Sequence, residues 1–497
     1  MSTFSYGGQY LSRKGQEHLY LYPALNSVGG DSGFGDGDTS YARSQIPKER
    51  ETMKISPRTS DDDDELPPYG VRPSKRRTTN LQTMMHILKG NIGTGILAMP
   101  NAFMHSGIYV GLITLPIFAF LCTHCMHILT RSNRLLNRRI GCGMLDYQDV
   151  MEHCLTIGPK PIRKYSRLAG RMVNVFLLIT QFGFCCVYSL FVAENLSKFM
   201  LETQGSNFEF STKTYLAMLL PFFILLSFIR SLKHLAIASS LANFLQTIGL
   251  FIVMFNLVQD LPPTSTVKPW GSIRTFPLYM GTAIYAFEGI ALILPLQKEM
   301  NEPESLGGKI GVLNASMTIV ACMNTAIGFY GYLKFGDSVA GSITLNLPSE
   351  PLYQYCKLMF ACAILLSYSI QYYVPFHIIW TCILNKYQLK ERVTRPTRLS
   401  LEFTLRTILV VMTIALAALV PRIDLFIPLV GALSSSCLAL IFPPLIDICV
   451  RWEEETSYKR WVWLFTKNVF IFLVGVFGFT AGSYASIENI IDQFSHN

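Results

Sequence analysis

Apolar runs of about 20 residues recur along the chain from residue 80 onward, and short polar segments separate them. A helix of about 20 residues crosses the ~30 Å hydrocarbon core of a bilayer, so this pattern predicts an all-α, polytopic membrane protein. Eleven runs are predicted to be membrane-spanning helices, near residues 82–106, 108–130, 169–198, 213–229, 237–257, 276–297, 310–332, 355–384, 402–420, 425–449 and 463–485.

The first run is interrupted where an unbroken helix would be expected. Gly90, Gly93 and Gly95 fall within six residues, with Asn91 and Thr94 between them. Glycine lowers helix stability by about 1 kcal/mol relative to alanine, and irregular backbone at membrane depth needs surroundings that satisfy its polar groups. A break here would direct free N–H and carbonyl groups at one point, as in the substrate sites of many secondary transporters. A glycine-rich packing face is the other interpretation.

The sixth run contains a matching interruption. Between Gly281 and Gly289 it places Thr282 and the carboxylate of Glu288 in the middle of an apolar segment. Two interrupted runs five apart predict two halves of five spans with opposite orientation, at 82–257 and 276–449, followed by one extra span. Interrupted segments at corresponding positions indicate a transport site between two repeats. This match favours the transporter interpretation of the first run.

Composition supports the membrane assignment and argues against other classes. Half of the residues are hydrophobic and 15% are charged, whereas soluble domains carry about 25% charged residues. The formal charge of +9 does not indicate nucleic-acid binding, because the basic residues are concentrated in the short loops between runs. The sequence lacks motifs for a nucleotide-phosphate loop, a hydrolase nucleophile or a zinc peptidase. We therefore expect a protein that is not an enzyme and draws on an ion gradient.

The distribution of Lys and Arg predicts the orientation of the chain. The loop after the second run carries eight basic residues between positions 131 and 167, whereas the alternate loops carry two at most. Cytoplasmic loops are enriched in Lys and Arg, so the N-terminus should lie inside and, after eleven spans, the C-terminus outside. Residues 1–77 have no apolar periodicity and are predicted to form a disordered cytoplasmic tail. The transmembrane domain should occupy 78–485, followed by a short extracytoplasmic tail at 486–497.

Two ionisable residues lie at membrane depth near the interruptions. Glu288 is fourteen residues beyond Arg274 and ten before Lys298, and an ionisable group at such depth costs at least ~2.5 kcal/mol on insertion scales. His86 precedes Gly90 by one helical turn and shares its face. Histidine titrates near neutral pH, so His86 suits a group that takes up and releases a proton in each cycle. A histidine that only packs is the ordinary alternative.

Other polar and aromatic residues in the runs carry less weight. The role of Lys89 stays open, since its ammonium could pair with a carboxylate, extend to the inner surface or act on the protonation of His86. The cysteines and histidines between residues 122 and 127 project from nearly opposite helix faces, so they cannot close one tetrahedral metal site. A further set could line a cavity, although packing is its commoner role: Phe182, Phe184, Tyr188, Tyr368, Gln371, Tyr372, Tyr373 and the serines at 434–436.

Several motifs together resemble the proton-coupled amino acid transporters of the amino acid/auxin permease superfamily, and insect members in particular. The motifs are LKGNIGTG at 88–95, GTAI at 281–284, FEGI at 287–290, GSITLNLP at 341–348, YVP at 373–375 and LVG at 429–431. The match runs from about residue 80 to the last span and leaves out the N-terminal tail. Vertebrate members carry paired cysteines in outer loops. The segments at 206–208 and 348–350 have none, so that disulfide is not carried over.

The resemblance implies a LeuT-like inverted-repeat fold with broken first and sixth helices, and proton symport of small neutral amino acids across the plasma or lysosomal membrane. It places the family's proton-coupling histidine at His86, with Glu288 as the second proton-coupling candidate. We expect no cofactor and no metal, the proton being the coupling ion. The expected partners are the amino acid, protons, the lipid bilayer and candidate nutrient-signalling proteins that bind the N-terminal tail.

The expected substrate site combines backbone groups from both interruptions. The substrate carboxylate should meet free N–H groups at 93–95, and its ammonium should meet free carbonyls near residue 90 and at 285–287. The expected substrate-binding residues are Gly90, Asn91, Gly93, Thr94, Gly95, Gly281, Tyr285 and Phe287.

Two alternatives stay open from the sequence. An amino-acid sensor of the same fold would bind its ligand and signal through the tail or the inner loops with little net flux. A sodium-coupled transporter would share the same interruptions, and only the resemblance favours the proton.

The predicted topology can be tested with an epitope tag placed after Asn497. Because the basic loops predict an outside C-terminus, antibody should reach this tag on intact cells that carry the protein at their surface. A tag before Met1 is the matched control and should stain only after permeabilisation. Staining of the C-terminal tag only in permeabilised cells would contradict the eleven-span topology.

Overall fold

The computed structural model describes residues 78–140, 143–205, 210–230, 232–308, 310–388, 393–420, 422–452 and 458–495. The predicted N-terminal tail at 1–77 lies outside these residues. The first helices are α1 (Asn80–Asn91), α2 (Thr94–Ser106), α3 (Ile108–Ile140), α4 (Tyr147–Ile157), α5 (Ser166–Gln204), α6 (Thr212–Ser227) and α7 (Leu232–Leu257). They are followed by α8 (Phe276–Ala286), α9 (Ile290–Glu299), α10 (Val312–Phe335), α11 (Pro351–Tyr387), α12 (Arg395–Leu419), α13 (Ile423–Val430), α14 (Phe442–Arg451) and α15 (Tyr458–Ser495).

The described residues of the predicted apolar runs are mainly helical. Among the residues that the structure describes, nine helical segments are long and apolar enough to cross a membrane, and α6 is a shorter apolar helix. The pair α1 and α2 occupies the remaining predicted run. The prediction of an all-α, polytopic membrane protein is therefore confirmed.

The interruptions lie where the glycines predicted them. In the first run α1 ends at Asn91 and α2 begins at Thr94, and in the sixth run α8 ends at Ala286 and α9 begins at Ile290. The tenth run also deviates from a regular helix, since π-helical turns at Gly431–Ser435 and Cys437–Ile441 separate α13 from α14. A β-carbon built on Gly431 would lie 1.9 Å from the Gly281 carbonyl oxygen, so this backbone contact requires glycine.

Helix α4 was not predicted from the sequence, which treated 131–168 as a loop. Its buried residues Val150, Met151, Cys154 and Leu155 recur at helical spacing, and α4 packs against α5. Short amphipathic helices such as α4 carry a weak periodic signal beside runs of 20 apolar residues.

At the other end of the chain, α15 continues to Ser495 and so includes the first residues of the predicted C-terminal tail.

Two clusters of buried apolar side chains meet at the interrupted helices. One cluster draws on α3, α4, α9 and α14, and the other on α5, α6, α11 and α12. Residues of α2 and α8 belong to both clusters. The interruptions therefore lie where the two cores join, not at the periphery of the protein.

Several buried charges away from the interruptions are paired. The ammonium of Lys357, which is fully buried, lies 2.7 Å from Glu202 Oε1. Lys467 Nζ lies 3.2 Å from Asp447 Oδ2. Partners of opposite charge offset the desolvation cost of such groups, which makes an unpaired charge elsewhere in the fold informative.

Candidate functional site

The two interrupted helices run antiparallel and are joined at the end formed by α2 and α8. The backbone N–H of Gly271, shortly before α8, donates to the Ser106 carbonyl at 2.7 Å, and Ile108 N donates to the Lys268 carbonyl at 3.0 Å. Thr275 Oγ1 adds a hydrogen bond of 2.8 Å to the carbonyl of His105. The end of α2 is therefore held against the segment that leads into α8.

The opposite end, formed by α1 and α9, is joined in the same way. Thr78 N donates to the Glu299 carbonyl at 2.7 Å, and Asn301 N donates to the Thr78 carbonyl at 3.0 Å. Asn80 Nδ2, at the start of α1, donates to Glu302 Oε2 at 3.3 Å. The residues entering α1 are thus bonded to the residues leaving α9.

Between these ends the two interruptions contact each other directly. Thr94 Oγ1 and the Tyr285 hydroxyl form a hydrogen bond of 2.9 Å. A β-carbon on Gly95 would lie 2.8 Å from Ala286 Cα, so the two backbones approach as closely as glycine allows. A β-carbon on Gly289 would lie 2.6 Å from Nδ2 of Asn91. Residues from both predicted halves of the site are therefore brought together.

The first interruption presents both N–H groups and carbonyl groups that have no partner within their own helix. Helix α2 begins at Thr94, so the N–H groups of its first turn have no carbonyl partner within the helix, and the helix dipole makes this end electropositive. The carbonyl of Ile92 accepts a hydrogen bond of 2.8 Å from the buried side chain of Gln246 on α7. A side chain from the fifth apolar run therefore satisfies a backbone carbonyl of the first interruption.

The carbonyls of the second interruption already have backbone partners. Glu288 N donates to the Tyr285 carbonyl at 3.3 Å, and Gly289 N donates to the Phe287 carbonyl at 2.9 Å. Each carbonyl oxygen has a second lone pair. The end of α8 can therefore still accept a hydrogen bond from a ligand.

Aromatic side chains border the interruptions on the α5 side. The hydroxyl of Tyr188 lies 3.4 Å from the position of a β-carbon on Gly93, and Gly93 itself is half-buried. The ring of Phe184 packs on that of Tyr285 with centroids 4.7 Å apart. Phe184 and Tyr188, two of the cavity candidates from the sequence, thus lie beside the expected substrate site.

Glu288 is buried without a partner of opposite charge in the part of the chain that the structure describes. Only 6% of the residue is exposed. Neither of its carboxylate oxygens meets ordinary hydrogen-bond geometry with a described residue, and the nearby Ser435 hydroxyl, which has no such partner either, is placed to donate to it. Tyr147 is within electrostatic range of Glu288, but its hydroxyl donates to the Leu438 carbonyl at 2.7 Å. Glu288 therefore differs from Glu202 and Asp447, which contact lysines.

His86 lies on the exposed side of α1, as Gly90 does. Its electrostatic neighbours are Lys89 and Glu299, and Glu288 is not among the neighbours found within the described residues. The ammonium of Lys89 is buried and makes no hydrogen bond to a described residue. The two proton-coupling candidates thus lie apart in this structure, near opposite ends of α9.

The remaining expected residues are placed as follows. Phe287 is fully buried at the end of α8. Gly281 packs against the Pro428 carbonyl, 2.5 Å from the position of its β-carbon, and a β-carbon on Gly90 would contact Leu292 at 2.6 Å. The structure therefore places Gly281 at the contact with the tenth run. The other expected substrate-binding residues lie at or beside the contact between the two interruptions.

The weaker cavity candidates on α11 are engaged in packing. The rings of Tyr368 and Tyr372 stack with centroids 5.9 Å apart. The Tyr372 hydroxyl donates to the Arg406 carbonyl at 2.9 Å, and that of Tyr368 bonds Thr413. These contacts tie α11 to α12 and leave the two hydroxyls occupied.

Gln246 is the functional candidate that the sequence analysis missed. An amide side chain in the middle of an apolar run is itself a signal, because polar groups inside membranes usually bond a neighbouring helix. Its partner, Ile92, is 154 positions away in sequence, so periodicity alone could not identify the contact.

Comparison with known families gives a match over most of the chain. The sequence model of the family described as "Transmembrane amino acid transporter protein" matches residues 76–488. The chain is 34% identical over 461 residues to "Proton-coupled amino acid transporter-like protein pathetic" of Drosophila melanogaster, covering 91% of this chain and 95% of that protein. It is 29% identical over 423 residues to "Probable amino acid transporter skat-1" of Caenorhabditis elegans, covering 84% of this chain and 91% of that protein.

Among solved structures, the fold is similar to that of Mhp1, a nucleobase-cation-symport-1 family transporter, in a closed conformation with bromovinylhydantoin bound. The TM-score is 0.47 at 12% sequence identity, over 86% of this chain and 94% of that chain.

The contact between Gln246 and Ile92 makes a testable prediction for the first interruption. Gln246→Leu keeps the volume of the side chain but leaves the half-buried Ile92 carbonyl without its donor, a loss of about 1–3 kcal/mol. We expect the variant to reach the membrane and to lose at least about fivefold in amino acid uptake per surface molecule. Thr247→Val is the matched control, since Thr247 is exposed and bonds only its own helix. Unchanged uptake by Gln246→Leu would show that the contact is dispensable.

Proposed function

Because the chain belongs to the transmembrane amino acid transporter family, we propose that it carries small neutral amino acids by proton-coupled symport across the plasma or lysosomal membrane. The supporting observation is the direct contact of two helix interruptions, one of which holds the buried carboxyl group of Glu288 without a charged partner among the described residues. The name of the Drosophila relative supports the choice of the proton as the coupling ion.

The substrate carboxylate is proposed to bind at the start of α2. The N–H groups at 94–97 form the first turn of this helix and carry the positive end of its dipole. Gly93 precedes them, and the Tyr188 hydroxyl lies beside it. Asn91 lies on the other side of the break. Carboxylates bind helix N-termini without any charged side chain, so the site suits the α-carboxylate of an amino acid.

The substrate ammonium is proposed to bind the carbonyl groups that end α1 and α8. These helix ends carry the negative end of the dipole, and their carbonyls retain accepting lone pairs. The rings of Phe184 and Tyr285 stand beside this position. A bulky side chain would meet these rings, so the pocket favours small substrates.

Glu288 is proposed to hold the coupling proton near the substrate. A buried carboxylate without hydrogen bonds or a cation is costly in its ionised form, whereas a protonated carboxyl group fits the surroundings seen here. His86 is proposed to exchange protons at the other end of α9, which is about 15 Å long. Gln297 lies on the same helix, fully buried and with both amide atoms free of hydrogen bonds to described residues. Its free amide atoms make Gln297 a candidate contact for a water relay between the two groups.

Transport by purified protein in liposomes tests the proposal. Labelled alanine should accumulate when the donor side is acidic and sodium is absent, and a protonophore should abolish the accumulation. Accumulation that requires a sodium gradient would support the sodium-coupled alternative and contradict proton symport. Binding of alanine without flux under either gradient would contradict transport and favour the sensor.

Gly93→Leu tests whether the first interruption binds the substrate. The leucine side chain would extend toward the Tyr188 hydroxyl and occupy the space assigned to the carboxylate. Overpacking of this kind costs about 1–3 kcal/mol, so uptake should fall at least about fivefold at normal surface expression. Gly308→Ala is a control, because the nearest atoms to its β-carbon are 3.7 Å away. Normal uptake by Gly93→Leu would indicate that the glycines serve only helix packing.

His86→Ala tests the exchange of protons at the α1 end. The variant lacks a group that titrates near neutral pH, so acid-stimulated uptake and proton current should be lost while surface expression is retained. His153→Ala, on α4, is the matched control and should keep the pH response. If His86→Ala accumulated amino acid under acid drive as the parent protein does, His86 would serve packing and not proton exchange.

Glu288→Gln tests the proton site itself. Glutamine preserves the shape and the hydrogen-bonding capacity but cannot release a proton, so uptake should lose its dependence on pH and net accumulation should weaken. Exchange of labelled for unlabelled alanine at equal concentrations should survive, because exchange needs no net proton movement. Glu304→Gln, an exposed carboxylate, is the control. A parental pH profile in Glu288→Gln would exclude Glu288 as the proton carrier.

A further inference from the structure

A cavity of about 670 Å³ lies between α3 and α10, away from the helix interruptions. Its walls are mainly apolar, with hydroxyl, amide and thiol groups at intervals. The apolar wall residues include Leu112, Pro116 and Phe120 from α3 and Met317, Ala321 and Phe329 from α10. The volume suits a small-molecule ligand or a lipid chain.

The cavity opens on the outer surface of the helical domain. Phe120 is 69% exposed, and Thr318 and Cys322 on the opposite wall are also exposed. The α10 wall extends from Asn314 to Tyr330, a rise of about 24 Å within a hydrocarbon core of ~30 Å. The cavity is therefore a groove that faces the acyl chains of the bilayer along much of its thickness.

Polar side chains lie at one end of the groove, and cationic side chains lie beyond them. His127 Nε2 and Asn314 Oδ1, from the two walls, lie 2.6 Å apart and close this end. Arg131 and Arg134 follow on the face of α3 that carries Phe120, because spacings of 11 and 14 residues return to within about 40° of the same direction. The guanidinium of Arg134 lies beside Gly307, in the connection that leads into α10. Ile310, in the same connection, is 97% exposed.

We propose that this groove binds one anionic phospholipid, with an acyl chain between α3 and α10 and the headgroup phosphate at Arg131 and Arg134. Guanidinium groups bind phosphate oxygens in a bidentate manner, and basic pockets between membrane helices bind anionic headgroups. The apolar walls match an acyl chain, whereas a sterol would leave the two arginines without an anionic partner. The charge at one end of the groove therefore favours a phospholipid over an uncharged lipid.

The bound lipid would act on the transport domain through α10. A β-carbon on Gly328 would lie 2.5 Å from the ring of Phe103, and one on Gly331 would lie 2.4 Å from Pro100 Cγ. Helix α10 therefore packs closely on α2, the half-helix that begins at the first interruption. An acyl chain on the other side of α10 would hold it in this position. The lipid site stands on these contacts and does not depend on the identity of the transported solute.

Native mass spectrometry of the purified full chain tests the proposal, with phosphatidylserine and phosphatidylcholine of identical acyl chains as probes. The parent protein should retain one phosphatidylserine in preference to phosphatidylcholine. Thr318→Trp, which fills the groove, should abolish the retained lipid. Combined Arg131→Gln and Arg134→Gln should weaken phosphatidylserine binding roughly thirtyfold and leave phosphatidylcholine unaffected.

Matched variants separate the groove from general effects on the surface. Leu225→Trp adds an equal ring to an exposed position on α6, and Arg171→Gln removes an exposed charge on α5. Both should retain phosphatidylserine as the parent does. Equal retention of the two lipids by the parent, or normal retention by Thr318→Trp, would overturn the proposal. Loss in the arginine variant with normal binding in Thr318→Trp would show a headgroup site without an acyl groove and would also overturn it.

Discussion

The antiparallel pairing of two interrupted helices is the constraint on which the rest of the structure depends. The pair is bonded at one end through Ser106 and Gly271, at the centre through Thr94 and Tyr285, and at the other end through Thr78 and Glu299. A bilayer offers no water to free backbone groups, so an interruption is tolerated only where protein satisfies it. Each interruption here is packed against the other, and both lie where the two apolar cores join.

Two buried ionisable groups at and beside this pairing make no hydrogen bonds to described residues, whereas several buried charges elsewhere in the described residues are paired. Lys357 and Asp447 contact opposite charges within membrane-spanning helices. Glu288 and Lys89 are buried and make no hydrogen bonds to described residues. Because an unpaired buried charge is costly, a protein that keeps such groups gains something from them other than stability. In the proposed function, that gain is the uptake of a proton and a zwitterionic substrate in turn.

Much of the fold could be predicted from the sequence because apolar length and glycine position are local signals. The runs at membrane depth and the breaks at 90–95 and 281–289 follow from composition within a few residues. The pairing of Thr94 with Tyr285 spans 191 positions, and the contact between Gln246 and Ile92 links the first and fifth runs, so neither could be read from periodicity. The sequence also left open whether Glu288 faces His86. In the structure Glu288 instead neighbours Ser435, on a π-helical turn that begins at Gly431, where the backbone contacts Gly281.

A structure of the protein with a bound neutral amino acid would test the central claim most directly, since that claim is that the paired interruptions form the substrate site. The account predicts density for alanine between the interruptions, with its carboxylate within hydrogen-bond distance of the N–H groups at 93–95. Its ammonium should face the carbonyls at the ends of α1 and α8. Density for alanine elsewhere in the protein, with the contact between Thr94 and Tyr285 unchanged and the interruptions unoccupied, would contradict the claim.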